Sequence, residues 1–232
     1  MSVEGGPDIV TNGLVLYLDA ANNRSIVSGS TTWFDLSRNS NTGSLVNGPT
    51  FATSSGGSIS FDGTNDFVQG VIPSSVFGAG HTISCWFYRR SSTTWSGVFS
   101  NNVGTTSCTI LTFIENTNSV GTNQAGISAT SIAVNLGADH LNKWIYCTIV
   151  YSNITNGSAV NVYAYKDGNL LTATGNLYWT LSSSNSYYVG RHWQGNTELH
   201  NGLISLVGVY NRALSAAEIR QNYHATKGRY GL

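Results

Sequence analysis

Charged residues are scarce in this chain of 232 residues. Only 9% of the residues are Asp, Glu, Lys or Arg, and 11 basic residues balance 11 acidic ones, which gives a net charge of zero. Proteins that bind nucleic acid or anionic membranes need a basic surface that attracts phosphate groups. The composition therefore argues against both kinds of partner. Ser, Thr, Asn and Gly must provide the solubility, which favours an extracellular or particle-bound protein over a cytosolic enzyme.

Long apolar runs are also absent. No stretch approaches the roughly 20 apolar residues that a membrane-spanning helix requires. The first eight residues, MSVEGGPD, contain neither the basic nor the apolar segment of a signal peptide. The sequence thus predicts neither membrane insertion nor Sec-type secretion. We expect such a protein to leave the cell by lysis, by assembly into a particle, or after removal of a signal.

Cysteine is rare. The chain contains Cys85, Cys108 and Cys147, which are too few for a disulfide scaffold and lack the paired spacing of zinc sites. On these grounds alone they are best interpreted as small buried apolar side chains.

The residues that catalysis requires are few. Glycoside hydrolysis uses two carboxylates on either side of the scissile bond, and no two glutamates are near neighbours in the sequence. The four are Glu4, Glu115, Glu198 and Glu218. The chain also lacks the Gly-x-Ser-x-Gly motif of serine hydrolases and a glycine-rich phosphate loop. We therefore predict that the protein is not an enzyme. An acid–base pair of Glu115 and Glu198 is the catalytic alternative.

Short β-branched and aromatic runs separated by Gly, Asn, Asp and Ser are abundant. This spacing is typical of an antiparallel β-sandwich. No shift in composition divides the chain, so we predict one all-β domain over residues 1–232. The clearest runs are 14–19, 58–61, 67–71, 81–90, 97–101, 108–115, 125–129, 132–135, 144–151, 160–166, 170–174, 186–191 and 203–211.

Three local patterns add detail. In the run 81–90 both alternating sets of side chains are largely apolar, which predicts a central strand that is covered on both faces. The residues KDGN at 166–169 predict a tight hairpin turn, and FDGTNDF at 61–67 predicts a longer turn. Ser215, followed three residues later by Glu218, predicts a helix N-terminus, with Leu214 packing on Ile219. We expect this short helix to cover the sandwich.

The order of these runs resembles that of laminin G-like domains, which belong to the concanavalin A-like lectin and glucanase superfamily. The similar segments are SISFDG at 58–63, DFV at 66–68, HTISCWF at 81–87, WIYCTIV at 144–150, VYAYKDG at 162–168, YVGR at 188–191 and GLISLVGVYNRALS at 202–215. The resemblance covers residues 58–223 and implies a two-sheet antiparallel jelly-roll sandwich with one short C-terminal helix.

The two ends of the chain resemble laminin G-like proteins of tailed-phage particles. The similar segments are GLVLYLDA at 13–20, WFDLSRNSNTG at 33–43, NGPTF at 47–51 and YHATKGRYGL at 223–232. This resemblance implies a virion component. In pentraxins, whose strand order is similar, the two strands that match 84–86 and 146–148 are joined by a disulfide, which implies a bond between Cys85 and Cys147.

Laminin G-like and pentraxin sites often hold calcium, which prefers six to eight oxygen ligands. Asp35, Asp62 and Asp66 are the candidates here for a structural calcium ion. Their alternative role is to close turns with side-chain hydrogen bonds. A ligand-gating calcium is disfavoured because the segment 191–198 is rich in amides and Ser205 replaces the family's aspartate. No cofactor is required.

Candidate ligand-binding residues are aromatic, amide and basic side chains in loops or at strand ends. Sugar sites combine a flat aromatic face with polar groups for the hydroxyls. The residues with this character are Trp95, Asn101, Arg191, His192, Trp193, Gln194 and Asn196. Packing over the end of the sandwich is the alternative role for Trp193. Trp33, Trp86 and Trp144 lie in strand patterns and are predicted to be core residues.

Three functions are consistent with these observations. The first is a non-catalytic decoration protein on the virion surface, which attaches to capsid or tail proteins, with glycan binding as an additional option. The second is a free, extracellular carbohydrate-binding lectin, and the third is a degenerate glycosidase. We favour the first function, and we expect the protein to be synthesised in the host cytoplasm. Homo-oligomerisation is a further option. The sequence identifies neither the sugar nor the oligomeric state.

Overall fold

The computed structural model of the chain describes residues 7–91, 95–101, 111–115, 119–123, 131–135, 141–155, 159–178, 185–192 and 198–232. The strands are β1 Leu14–Asp19, β2 Thr32–Trp33, β3 Gly43–Val46, β4 Thr50–Ala52, β5 Ser58–Asp62, β6 Phe67–Val71, β7 His81–Arg89, β8 Trp95–Asn101, β9 Leu111–Glu115, β10 Ser119–Asn123, β11 Ser131–Asn135, β12 Trp144–Ser152, β13 Ala159–Lys166, β14 Asn169–Tyr178, β15 Ser186–Val189 and β16 Asn201–Tyr210. The helices are 3₁₀ turns at Ser54–Gly56, Ser74–Phe77 and Lys227–Tyr230, and the α-helix α1 Ala216–Thr226.

Two eight-stranded antiparallel sheets form the described part of the fold. Sheet A has the order β14-β13-β12-β7-β16-β5-β4, and β1 also pairs with β16. Sheet B has the order β11-β10-β9-β8-β15-β6-β3-β2. The predicted all-β sandwich with one short C-terminal helix is confirmed. Strand β16 is central because β7 pairs along its length, while β5 and β1 share its other edge.

The core lies between the two sheets. Sheet A contributes Ile83, Cys85 and Phe87 from β7, and sheet B contributes Val68 and Phe99, all of them at most 1% exposed. Alternation in the sequence produces this arrangement because successive side chains of a strand point to opposite faces. Trp33 and Trp86 are fully buried, as predicted.

The outer face of sheet A is covered by the C-terminal segment. Ser215 caps α1, and it forms a capping box with Glu218. Leu214 and Ile219 pack together with Val150 of β12 in one buried cluster. The predicted role of the helix is confirmed, although α1 extends to Thr226, further than the motif indicated. Strand β7 is therefore covered on both sides.

Several sequence predictions need correction. Trp144 is only half-buried and is not a core residue. The turn at 61–67 does not close a hairpin within one sheet, because β5 belongs to sheet A and β6 to sheet B. Strands β2, β3, β4 and β10 were not predicted, and the predicted strand 125–129 lies outside the described residues. No helix within the described ranges is long and apolar enough to cross a membrane.

Candidate functional site

A row of polar and aromatic side chains crosses the outer face of sheet B. Gln69 of β6 lies directly opposite Tyr188 of β15 on one side and Ser44 of β3 on the other. Tyr188 is in turn opposite Ser100 of β8. Gln69 and Ser44 are exposed and Tyr188 is half-buried. We call the surface formed by Ser44, Gln69, Tyr188 and Arg191 the sheet B face.

Arg191 lies beside this row, just beyond the end of β15. Its guanidinium carbon is 4.7 Å from the centre of the Phe67 ring and 5.2 Å from the centre of the Tyr188 ring. These distances allow cation–π attraction to both rings. The attraction holds the guanidinium group in place, and its five N–H donors are suited to hydroxyl and carboxylate groups.

A shallow cavity of about 390 Å³ continues the row across β3 and β6. It is lined by hydroxyl groups of Ser40, Thr42 and Ser44, by Gln69, and by the exposed side chain of Val71. None of the strands β3, β6, β8 and β15 contains an aspartate or a glutamate. These four strands therefore supply hydrogen-bonding groups but no carboxylate for acid–base chemistry.

A short hairpin positions Arg191. Residues 190–192 pair with 198–200: His200 N–H donates to the Gly190 carbonyl over 2.9 Å, and His192 N–H donates to the Glu198 carbonyl over 3.1 Å. The hairpin is fixed to β8 because Gly97 N–H donates to the Glu198 carbonyl over 3.2 Å.

Polar side chains are buried at the base of this hairpin. Nδ1 of His192 contacts the carboxylate of Glu198, and Nδ1 of His200 lies 3.1 Å from the hydroxyl of Ser96. Burial lowers the pKa of each imidazole to about 3, because desolvation disfavours the charged form. A neutral His192 with its proton on Nδ1 can donate to Glu198. These buried contacts therefore stabilise the hairpin. They also engage the carboxylate of Glu198, which contacts His192.

The predicted ligand-binding residues do not all lie at the surface. Arg191 lies on the sheet B face. Asn101 and His192 are each 1% exposed, so the prediction that they contact a ligand at the surface needs correction. Asn101 lies opposite Tyr187, on the inner side of sheet B. The imidazole of His192 contacts the carboxylate of Glu198. For Trp95 only the backbone is described, and Trp193, Gln194 and Asn196 lie outside the described residues.

Gln69 and Tyr188 were not among the residues predicted from the sequence. A signal was available for Gln69, because Phe67, Gln69 and Val71 alternate with buried positions and must share the outer face. The same alternation applies to β15: Tyr187 is buried, so the next residue, Tyr188, points to the outer face.

The candidate calcium residues hold turns together. The carboxylate of Asp35 accepts hydrogen bonds from the backbone N–H groups of Tyr17, Ser37 and Asn41. Asp62 accepts from Thr64 N–H, the main cause of its lowered pKa. These donors occupy the oxygens that calcium would need. No three His, Cys, Asp or Glu side chains are close enough to hold a metal ion within the ranges described.

Asp66 and Ser205 support the same conclusion. Asp66 accepts a hydrogen bond from Asp62 N–H over 3.1 Å, and burial raises its pKa, which disfavours the charged form that a calcium ion needs. Ser205, at the position of the family's aspartate, donates to the Gly57 carbonyl over 2.6 Å. The geometry thus favours the turn-closing role over a calcium site at these positions.

Cys85 and Cys147 lie directly opposite each other in β7 and β12, and both are free, buried thiols. Directly opposite residues of antiparallel strands have Cα atoms about 4.5–5.5 Å apart, which is within disulfide range. Burial raises the pKa of both thiols, that of Cys147 to about 12. Since the thiolate is the reactive form, the folded protein should resist oxidation.

The disulfide that the resemblance implies can be tested by intact mass. We expect protein refolded from denaturant in a glutathione redox buffer to gain two hydrogen atoms on reduction, whereas native reduced protein treated with the same buffer should not. The variant Cys108→Ser controls for bonds to the third cysteine. If the mass of the refolded protein is the same before and after reduction, the predicted bond is contradicted.

The family profile described as the concanavalin A-like lectin/glucanases superfamily, of the laminin G type, matches residues 61–220. The chain belongs to this superfamily. The match begins at the end of β5 and covers strands β6 to β16, the hairpin that carries Arg191, and the first five residues of α1. No curated protein sequence matches this chain significantly.

Solved structures share the fold of this concanavalin A-like domain. A Trypanosoma rangeli sialidase in complex with 2,3-difluorosialic acid has a TM-score of 0.71 and 16% identity, over 97% of this chain and 35% of the sialidase. The receptor-binding domain of botulinum neurotoxin type G has a TM-score of 0.65 and 16% identity, over 91% of this chain and 51% of that one. The chain thus spans about a third to a half of these structures, and at such identities the likeness concerns the fold alone.

Proposed function

We propose that the chain is a non-catalytic carbohydrate-binding domain that contacts glycans through the sheet B face. The observation that carries the proposal is the row of Ser44, Gln69 and Tyr188 beside the anchored guanidinium of Arg191. An aromatic ring supplies a surface for the C–H face of a sugar, while amide, hydroxyl and guanidinium groups bond to its hydroxyls. Membership of a superfamily of lectins and glucanases supports the proposal, as does the likeness to a sialidase and to a toxin receptor-binding domain.

The experiment is a glycan array with the purified chain, read with and without calcium. For the best glycan we expect Arg191→Ala and Gln69→Ala each to weaken binding about 10-fold, the effect of losing one or two charge-assisted or buried hydrogen bonds. Arg220→Ala removes an exposed arginine of α1 and should leave binding unchanged. Equal binding by Arg191→Ala and the parent chain would contradict the proposed site.

Absence of catalysis is part of the proposal. The four strands of the sheet B face contain no carboxylate, and Glu198 is occupied by His192. We expect no release of sugar from glycans that bind on the array. Release that is lost in Glu198→Gln would favour the glycosidase alternative.

We further propose that this glycan binding takes place on a virion, with capsid or tail proteins as the attachment partners. The resemblance of both chain ends to tailed-phage laminin G-like proteins supports this role. Within the described part of sheet A, β14 is an edge strand, and its Leu170 and Leu171 are 53% and 41% exposed. Exposed strand edges and apolar side chains are typical docking features.

Cosedimentation tests the attachment. The chain should sediment with tailed-phage particles or with particles assembled from their capsid and tail proteins, and Leu170→Ser with Leu171→Ser should reduce the bound fraction. The free, extracellular lectin is the alternative, and it predicts glycan binding without cosedimentation.

A further inference from the structure

A second cavity lies in the part of the chain that connects β1 to β3. It has a volume of about 380 Å³ and is lined by Asn22, Arg24, Asp35, Leu36 and Arg38. The same connection carries two of the six large apolar side chains that are strongly exposed in the described part of the chain, Val27 at 52% and Phe34 at 51%. We call the surface formed by Arg24, Val27, Phe34 and Arg38 the basic loop surface.

Hydrogen bonds across the loop place Phe34 beside the cavity. Phe34 N–H donates to the Ser25 carbonyl over 2.7 Å, and the Ser25 hydroxyl donates to the Phe34 carbonyl over 2.6 Å. Arg24 and Asp35, which line the cavity, are the next residues along the chain from this pair. Phe34 therefore lies at the rim of the cavity, and a partner that contacts it also meets the arginines.

The two arginines give the cavity a net positive charge. Both side chains are exposed, and within the described residues no hydrogen bond or ion pair engages either guanidinium group. The one carboxylate of the cavity, that of Asp35, bonds to other groups. Its Oδ1 accepts from the N–H groups of Tyr17 and Ser37, and its Oδ2 accepts from the Ser37 hydroxyl and the N–H of Asn41. Four donors occupy its four lone-pair sites, so Asp35 does not pair with the arginines.

The backbone that carries Arg38 is held in one conformation. The φ angle of Arg38 is 75°, a left-handed conformation that costs energy for a residue with a Cβ atom. The side-chain amides of Asn39 and Asn41 donate to the carbonyls of Leu14 and Val15 over 3.2 Å and 2.7 Å, which fixes this segment to β1. The segment therefore needs little ordering when a partner binds, and this favours affinity.

We propose that the basic loop surface binds an acidic polypeptide segment of another protein, with an apolar side chain among its carboxylates. Guanidinium groups bind carboxylates through paired, charge-assisted hydrogen bonds, and Val27 and Phe34 offer contact to the apolar side chain. Arginine and aromatic residues are enriched in protein interfaces. No two of the chain's 11 acidic residues are adjacent in the sequence, so a different protein is favoured over a second copy. The surface shares no residue with the sheet B face or with β14, and the proposal goes beyond the function proposed above.

The test measures fluorescence anisotropy of labelled peptides titrated with the full chain at low ionic strength, where charges are weakly screened. The probes are the amidated peptides EEFEE, QQFQQ and EESEE, each with fluorescein at its N-terminus. We expect the dissociation constant of EEFEE to be about 10-fold lower than that of QQFQQ, because the carboxylates bond to the arginines. It should be about 3-fold lower than that of EESEE, which lacks the apolar side chain. Inorganic phosphate should displace EEFEE no better than chloride at equal ionic strength.

Variants of the chain separate the contributions. Arg24→Gln and Arg38→Gln should each weaken EEFEE binding about 3-fold and together about 10-fold, and Phe34→Ser should reduce it to the level of EESEE. Arg220→Gln removes the same charge from α1 and is the matched control. Arg191→Ala tests the sheet B face and should bind the peptides unchanged, so failure of this proposal is distinguishable from failure of the glycan site. Thermal unfolding verifies that each variant is folded.

Three results would overturn the proposal. The first is equal affinity for EEFEE and QQFQQ, which would show that the carboxylates are not recognised. The second is an effect of Arg220→Gln as large as that of Arg24→Gln, which would show that only the overall charge of the chain matters. The third is displacement of EEFEE by phosphate at equal ionic strength, which would show that the cavity takes any anion.

Discussion

Replacing Trp86 by alanine should lower the free energy of unfolding by about 3–5 kcal/mol, the usual cost of removing a buried aromatic side chain. Trp86 is fully buried on the outer face of sheet A. Its ring stacks on Tyr230 at 3.9 Å and faces Tyr223 at 5.8 Å, and its indole N–H donates to the hydroxyl of Thr226 over 2.8 Å. The substitution therefore removes three contacts between β7 and the C-terminal segment.

Urea denaturation measures this effect, and limited proteolysis shows where it acts. In Trp86→Ala we expect cleavage to begin within 216–230, because the segment loses its anchor. Trp86→Phe keeps a ring but loses the hydrogen bond and should cost less. A loss below about 1 kcal/mol in Trp86→Ala, the range of ordinary surface substitutions, would show that the segment is held by other contacts.

Gly97→Ala should displace the hairpin that carries Arg191. A Cβ atom at this position would lie 2.1 Å from the carbonyl carbon of Arg191 and 2.2 Å from the amide nitrogen of His192. Both are backbone atoms, so the strain cannot be relieved by rotating a side chain. Overpacking of this kind costs about 1–3 kcal/mol and sometimes more. We expect destabilisation near the upper end, together with loss of glycan binding on the sheet B face.

Gly228→Ala is the matched control, because no heavy atom lies within 4 Å of the added Cβ. The pair is compared by thermal unfolding and by the glycan array. If Gly97→Ala unfolds and binds like Gly228→Ala, then the close approach of the hairpin to β8 is not required for either property.

The sequence predicted those parts of the fold in which local pattern and burial agree. Strands β1 and β6 have the predicted ends, and the run at 81–90 differs from β7 by one residue. Their alternating apolar residues leave no other way to bury both faces. Strands β2, β3 and β4 were missed because they are two to four residues long and contain few apolar residues. These short strands form because neighbouring strands provide their hydrogen-bonding partners.

The candidate sites depended on features that no local pattern contains. Trp144 lies in the same apolar run as Tyr146, yet the C-terminal segment buries Tyr146 and leaves Trp144, which contacts Tyr230, half-buried. The difference arises where a segment about 80 residues later in the chain ends its contact with sheet A. Asn101 was misjudged for a different reason. It shares a strand face with Phe99, and alternation alone would have placed it inside.

The two broad surfaces of the sandwich differ in how they are covered. The outer face of sheet A is packed against α1 and the last residues of the chain, whereas Ser44 and Gln69 on sheet B are exposed. A label or solid support joined to the last residue therefore leaves the sheet B face directed away from the attachment point.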